Sequence, residues 1–204
     1  MIINYTDAMT TKLGIWAESR AELFRYASLL PECAAEAGSI LLSGDVSALL
    51  AGTMHRLYPG ASLCAVTDDE AVLHDAESEC NGLMCIAEAF DKYAEYDSFD
   101  IVLSLLQIQS LNTRELTPYL FSLYDSLKAG GCIMLSFPEA AAHTVIGKNL
   151  FPAWYDDSRE VYMKYYMAED VIHALNLIGF DIRAVERDPI EELYSVVTVI
   201  AMKR

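Results

Sequence analysis

Basic residues are scarce in this chain. Its 204 residues include 14 Lys and Arg against 30 Asp and Glu, which gives a formal net charge of −16 at pH 7. A field of that sign repels phosphate backbones and anionic lipid headgroups. We therefore expect no nucleic-acid partner and no membrane partner.

Long apolar runs, a secretion signal and metal-ligand spacings are also missing. No apolar run approaches the roughly 20 residues that cross a bilayer, and residues 1–12 lack a basic start followed by an apolar stretch. The five cysteines form no C-x-x-C pair, and the four histidines show no ligand spacing with each other or with the cysteines. These absences favour a cytoplasmic protein with reduced cysteines and no metal.

The apolar pattern changes near residue 39. Residues 1–38 show helical spacing, and we expect them to form an N-terminal helical cap. From residue 39 onward, short apolar runs alternate with helical patterns, which is typical of a parallel sheet buried on both faces. The predicted strands are 40–43, 62–66, 83–87, 99–105 and 132–137, and the predicted helices between and after them are 48–58, 70–78, 113–127 and 168–178.

Two further strands are predicted at the end of the chain, over 180–185 and 194–202. A short polar turn around Pro189 joins them, and so short a turn permits only antiparallel pairing. The fold class is therefore α/β. We predict a three-layer sandwich with a mostly parallel seven-stranded sheet that ends in an antiparallel hairpin.

Three segments of the second half resemble a known family. They are Tyr-Asp-Ser-Phe-Asp-Ile-Val-Leu-Ser at 96–104, Ser-Leu-Lys-Ala-Gly-Gly-Cys-Ile-Met at 126–134, and Tyr-Met-Ala-Glu-Asp at 166–170 followed by Gly179-Phe180. Together and in this order they are similar to the class I S-adenosylmethionine-dependent methyltransferases. The resemblance covers 39–204 and implies a Rossmann-like fold that binds S-adenosylmethionine and methylates a small molecule by in-line displacement.

The stretch after the first predicted strand lies where this family carries its glycine-rich cofactor loop. Glycines there let the backbone approach the methionine and ribose portions of the cofactor without a side-chain collision. Gly44 matches the first glycine, whereas Val46 and Ala48 stand at the second and third, and Leu42 replaces an acidic residue. The resemblance implies that Gly44, Asp45 and Val46 contact the cofactor, and that the Val46 side chain intrudes on it.

Further cofactor-binding residues are implied at the ends of the next strands. Asp68 is the candidate for the ribose hydroxyls, and Glu88, followed by Ala89, is the candidate for the adenine amino group. Ser104, at the end of the fourth-strand segment, completes this set. The alternatives are that Asp68 and Asp69 only cap the following helix, and that Glu88 is a solvated loop carboxylate.

In this fold the acceptor site lies above the carboxyl ends of the fourth and fifth strands. The polar and aromatic candidates there are Gln107, Gln109, His143, Trp154, Tyr155, Tyr162, Tyr165 and Tyr166. His143 and Gln109 are the catalytic candidates, as a general base and as a group that orients the acceptor. Gln107, Trp154 and Tyr166 are the substrate-binding candidates. The alternatives are a surface histidine, a polar helix start, and aromatic packing or the interface of a homo- or heterodimer.

Three functions compete. The first is a small-molecule methyltransferase that uses S-adenosylmethionine. The second is a cofactor-less methyltransferase homologue that acts as a binding or scaffolding subunit. The third is a nucleotide-binding oxidoreductase, which the lack of G-x-G-x-x-G after the first strand disfavours.

Overall fold

The computed structural model of the chain describes residues 37–88, 90, 95–111, 113–140, 151–156, 159–163, 166–191 and 194–204. The predicted helical cap over 1–38 lies almost wholly outside these residues, so the domain boundary stays a prediction. No helix in the described part of the chain is long and apolar enough to cross a membrane.

Seven described strands form one sheet, and two more form a separate hairpin. The strands are β1 (Ser39–Ser43), β2 (Ser62–Thr67), β3 (Met84–Ala87), β4 (Phe99–Leu105), β5 (Leu127–Ala140), β6 (Phe151–Asp156), β7 (Arg159–Met163), β8 (Phe180–Glu191) and β9 (Tyr194–Lys203). The sheet order is β3-β2-β1-β4-β5-β9-β8, and β6 pairs with β7. Pairing is parallel from β3 to β5, and β9 is antiparallel to both β5 and β8. The predicted fold class is confirmed.

Helices cover both faces of the sheet. They are α1 (Asp45–Ala48), α2 (Ala51–Leu57), α3 (Glu70–Glu79), α4 (Thr113–Ser126) and α5 (Ala168–Ile178). Residues of α1, α2 and α3 share one buried apolar cluster with Ile40 and Leu42 of β1. Residues of α4 and α5 share a second cluster with Leu41. Successive side chains of a strand point to opposite faces, so the alternation along β1 builds the two core layers.

The predicted helix 48–58 is wrong in its outline. The structure has two short helices, α1 and α2, that are separated by a turn at Leu49 and Leu50. The helix already begins at Asp45, because Gly44 lets the chain turn directly out of β1. The hydroxyl of Ser47 accepts a hydrogen bond from the Leu105 N–H at 2.9 Å, so α1 is fixed against the end of β4.

The predicted turn around Pro189 is also wrong. β8 continues past this residue, which pairs with Ser195, and ends at Glu191. A strand at the sheet edge tolerates proline at positions whose backbone nitrogen faces away from the one neighbouring strand. The register also shifts between Pro189 and Glu191.

The strand order identifies where a ligand site is expected. The chain runs outward from β1 through β2 to β3, then returns to place β4 on the other side of β1. The carboxyl ends of β1 and β4 therefore flank the point where the topology reverses. In open α/β sheets, ligands bind in the crevice outside such a switch point.

Candidate functional site

A cavity of about 840 Å³ opens at this switch point, which is within the range of sites that hold small ligands and cofactors. Its wall is formed by the segments that follow β1, β2, β3 and β4 and by the first two turns of α4. The lining residues are Gly44, Asp45, Val46, Val66, Thr67, Asp68, Glu88, Phe90, Leu106, Gln107, Gln109, Ser110, Leu111, Arg114, Glu115, Pro118 and Tyr119.

The segment after β1 contributes a glycine that the local backbone requires. Gly44 has φ +85°, a left-handed conformation that side chains other than glycine rarely adopt. Its N–H donates to the Val66 carbonyl at 2.9 Å, which ties the loop to β2. A Cβ at this position would lie 2.8 Å from Cδ of Gln107. Glycine, which has no Cβ, therefore suits both the backbone conformation and the space at this position.

Val46 and Ala48 occupy different environments. Val46 lines the cavity and also packs against the core cluster on the α1 side of the sheet. Ala48 is fully buried and is not among the lining residues. The helix that starts at Asp45 turns Ala48 into the core, so of these two residues only Val46 faces the cavity.

The residues after β2 have separate tasks. Asp69 caps α3: its carboxylate accepts the N–H groups of Ala71 at 2.9 Å and Val72 at 3.3 Å. The Thr67 hydroxyl donates to the Asp45 carboxylate. Asp68 lines the cavity, is exposed, and has no hydrogen-bond partner among the described residues. Of this acidic pair, Asp69 therefore caps the helix, and Asp68 is the member that lies at the cavity.

The segment after β3 brings one more carboxylate to the same wall. Glu88 is exposed and lines the cavity, whereas the next candidate, Ala89, lies outside the described residues. Phe90 is buried and meets Tyr119 edge to face, with ring centroids 5.3 Å apart. Asp45, Asp68 and Glu88 thus give this half of the cavity a negative charge.

The chain leaves β4 through a strained residue. Leu106 has φ +52°, which costs a non-glycine residue about 1–3 kcal/mol. Two contacts hold it there: its N–H donates to the carbonyl of Ser136 at 3.0 Å and to the hydroxyl of the same residue at 3.2 Å. The next residue, Gln107, is thereby placed against Gly44.

A buried hydroxyl group joins the cavity wall to the sheet. The Tyr119 phenol oxygen lies 2.8 Å from the Ser43 hydroxyl and 2.7 Å from the Ser104 hydroxyl. Burial raises the pKa of Tyr119 to about 12, although hydrogen bonds from Ser104 and Ser43 act in the opposite direction. Ser104 is fully buried and is not a lining residue, so the structure gives it the position of a support behind Tyr119.

The other half of the cavity is built around the turn Ile108–Ser110 and the start of α4. Gln109 lines it, its amide nitrogen donates to the Leu106 carbonyl, and its carbonyl oxygen has no partner among the described residues. Arg114 and Glu115 add one charge of each sign. Strand β7 contacts the turn, so the β6–β7 hairpin lies at the rim.

Tyr166 is placed next to this half but does not line it. Its hydroxyl donates to the Leu111 carbonyl at 3.1 Å, and burial and the Glu115 carboxylate raise its pKa to about 12. The segment is anchored by Glu139, whose carboxylate accepts the Ala168 N–H at 2.7 Å. His143, Tyr165 and the side chains of Trp154, Tyr155 and Tyr162 lie outside the described residues.

The residues that sequence reasoning missed are on α4 and in the core. Arg114, Glu115, Pro118 and Tyr119 follow the spacing of one helical face, and a helix that starts over the carboxyl edge is the signal that could have indicated them. No local sequence signal indicated the left-handed conformation of Leu106. Among the described residues, no group of His, Cys, Asp and Glu could hold a metal ion.

Comparisons with solved structures agree with the fold described above. No protein-family model and no curated protein matches the chain by sequence. A Burkholderia thailandensis 1,6-didemethyltoxoflavin N1-methyltransferase, solved with S-adenosylhomocysteine, superposes with a TM-score of 0.71 at 15% identity, covering 98% of this chain and 83% of that one. The N-methyltransferase NodS of Bradyrhizobium japonicum, also with S-adenosylhomocysteine, gives 0.65 at 13% identity, with coverages of 94% and 87%.

A third similar structure shows that this fold also serves other chemistry. The [4+2]-cyclase SpnF superposes with a TM-score of 0.70 at 12% identity, covering 91% of this chain and 80% of that one. Function therefore has to be argued from the site rather than from the superposition. The sheet order, the antiparallel end hairpin and these superpositions agree: the chain has the fold of the class I S-adenosylmethionine-dependent methyltransferases.

Proposed function

We propose that the chain binds S-adenosylmethionine in the switch-point cavity and transfers its methyl group to a small molecule. The observation that carries the proposal is the convergence of three separate segments on one cavity. Gly44, Asp68 and Glu88 follow three neighbouring parallel strands and line the same wall. The resemblance noted above assigns these three places to contacts with the cofactor.

Each of the three residues suits its proposed task. Asp68 and Glu88 are exposed carboxylates, and carboxylates accept hydrogen bonds from hydroxyl and amino groups. Asp68 would hold the ribose hydroxyls and Glu88 the adenine amino group. Gly44 would let the ligand approach the backbone closely.

The cofactor fits with one adjustment. The cavity volume is sufficient, and its negative wall attracts a cationic sulfonium. The space above Gly44 is filled by the Gln107 carboxamide and not by backbone, so a side-chain rotation opens it. Val46 lines the same wall, where its side chain would intrude on the cofactor.

S-Adenosylmethionine supplies an electrophilic methyl group, and the chain's part is alignment and exclusion of water. The half of the cavity around Ile108–Ser110 would hold the methyl acceptor, and we call it the acceptor half. Leu106, Leu111 and Pro118 give it apolar surface. Gln109 and Arg114 lie in the same half and provide polar groups that would orient an acceptor. In-line displacement needs the acceptor held opposite the sulfonium, which a two-part cavity of this form allows.

The test is a calorimetric titration with S-adenosylmethionine and S-adenosylhomocysteine. We expect dissociation constants in the micromolar range, about −8 kcal/mol. Asp68→Asn and Glu88→Gln should each weaken binding by about tenfold, since each removes a charged acceptor. Asp75→Asn, an exposed change on α3 away from the lining residues, is the matched control.

Two outcomes contradict the proposal. One is an affinity that the Asp68 and Glu88 variants leave unchanged, because the cofactor would then bind elsewhere. The other is no heat and no thermal shift at millimolar ligand. The second outcome would support a cofactor-less homologue that acts as a binding or scaffolding subunit.

A further inference from the structure

The side chain of Gln107 fills the space that Gly44 leaves open. A Cβ built on Gly44 would lie 2.8 Å from Cδ and 3.2 Å from Cγ of Gln107, and still closer to its amide oxygen. Atoms in van der Waals contact stay beyond about 3.4 Å. The bare stretch of the β1 loop is therefore covered by a side chain of the same protein.

The backbone before Gln107 is held in a costly conformation that produces this contact. Leu106 has φ +52° and is 8% exposed. Both hydrogen bonds that its N–H donates go to one residue of β5, Ser136, at 3.0 and 3.2 Å. Because Ser136 is fully buried, the anchor cannot move without disturbing the core. Gln107 is half-buried and belongs to the cavity wall, so its carboxamide can change rotamer without disturbing the core.

We infer that Gln107 sets the affinity of the β1 loop for its ligand, because its carboxamide occupies the loop until the ligand displaces it. The apparent affinity of a site is reduced by the fraction of molecules in which the site is open. A ligand that reaches the Gly44 backbone competes with Gln107, whereas a ligand that stops short of the loop does not. The ligand's identity rests on the proposed function; the contact between the two residues does not.

The contact itself is tested by a double-mutant cycle on stability. Gly44→Ala, Gln107→Ala and the double variant are compared with the unmodified chain by urea unfolding. Alanine at position 44 adds backbone strain in either background but meets a side chain only when Gln107 is present. We expect Gly44→Ala to raise the unfolding equilibrium constant about fivefold more with Gln107 than without it. Additive effects, within about twofold, would overturn the inference.

Ligand affinity is tested by calorimetry with S-adenosylhomocysteine on the same proteins. Gln107→Ala should bind about threefold or more tightly than the unmodified chain. Gln107→Met, which keeps the length and bulk of the side chain, is the matched control and should bind like the unmodified chain. Weaker binding by Gln107→Ala would show that Gln107 holds the ligand, which overturns the inference. If none of the proteins binds, the proposed cofactor fails, and the stability cycle still decides the contact.

Discussion

The Tyr119 hydroxyl links α4, which lines the cavity, to β1 and β4, and its removal should lower the free energy of unfolding. Tyr119→Phe keeps the ring that lines the cavity and that packs on Phe90. It deletes the hydroxyl that lies 2.8 Å from Ser43 and 2.7 Å from Ser104. Both serine side chains are fully buried, so neither can turn to solvent for a replacement partner.

The expected loss of unfolding free energy follows from two hydrogen bonds of about 1 kcal/mol each and from the desolvation cost of any serine hydroxyl that stays unpaired. Leu42 pairs with Leu103 across β1 and β4, so Ser43 and Ser104 come next on adjacent strands. They can partly pair with each other once the phenol is gone. We therefore expect Tyr119→Phe to lower the free energy of unfolding by about 1–3 kcal/mol at pH 7.

The same variant has a distinct signature in alkaline solution. Burial raises the pKa of Tyr119 from 10.0 to about 12, so above pH 10 the unfolded chain ionises this group while the folded chain does not. Its stabilising contribution is complete below pH 10 and is lost as the pH rises to 12. One pKa unit corresponds to about 1.4 kcal/mol, so the advantage of the unmodified chain over Tyr119→Phe should shrink by about 2 kcal/mol by pH 11.5.

Urea unfolding followed by circular dichroism at pH 7 and between pH 9 and 11.5 measures both effects. Tyr124→Phe is the control, because the Tyr124 ring packs on Phe180 with centroids 5.0 Å apart and its loss of a hydroxyl should cost less than about 0.5 kcal/mol. Equal stabilities of the two variants at pH 7, with parallel pH profiles, would refute the role assigned to the Tyr119 hydroxyl.

Three further changes have expected outcomes. Glu139→Gln should lower the free energy of unfolding in urea by about 1–2 kcal/mol, since this 12% exposed carboxylate binds the first amide of α5 and a guanidinium of β8. The control Glu169→Gln, at a 70% exposed side chain, should change it by almost nothing. Equal losses for the two variants would refute the anchoring role of Glu139. Burial raises the pKa of the Asp100 carboxyl, but its hydrogen bonds, first that from Lys128, lower this pKa overall. The stabilising contribution of the carboxylate therefore disappears as the pH falls below 3.8. Asp100→Asn should flatten the acid side of the plot of unfolding free energy against pH, and an unchanged acid side would contradict this. Val46→Ala should tighten S-adenosylhomocysteine binding about threefold by calorimetry, and unchanged affinity would show that Val46 does not obstruct the ligand.

The parallel core was predictable because its pattern is local. β4 and α5 occur at the predicted residues, since an apolar run bounded by polar turns and a helical stripe that ends at Gly179 leave few alternatives. Gly44, Asp68 and Glu88 meet in one cavity for the same reason. Each follows a parallel strand, and the carboxyl ends of parallel strands share one edge.

The rest depends on contacts between distant residues. The turn between α1 and α2 accompanies a hydrogen bond from Leu105 to Ser47, 58 positions away. The left-handed conformation of Leu106 depends on Ser136, and leucine itself gives no local signal for it. The position of Gln107 against Gly44 follows from that turn, so the sequence placed Gln107 near the site without indicating what it covers.

The most direct test of the central claim is a crystal structure of the protein grown with S-adenosylhomocysteine. We predict electron density for the adenosyl group between the β1 loop at Gly44 and the carboxylates of Asp68 and Glu88, with the Gln107 side chain rotated away from Gly44. Ligand density at any other surface, with Gln107 still against Gly44, would contradict the account.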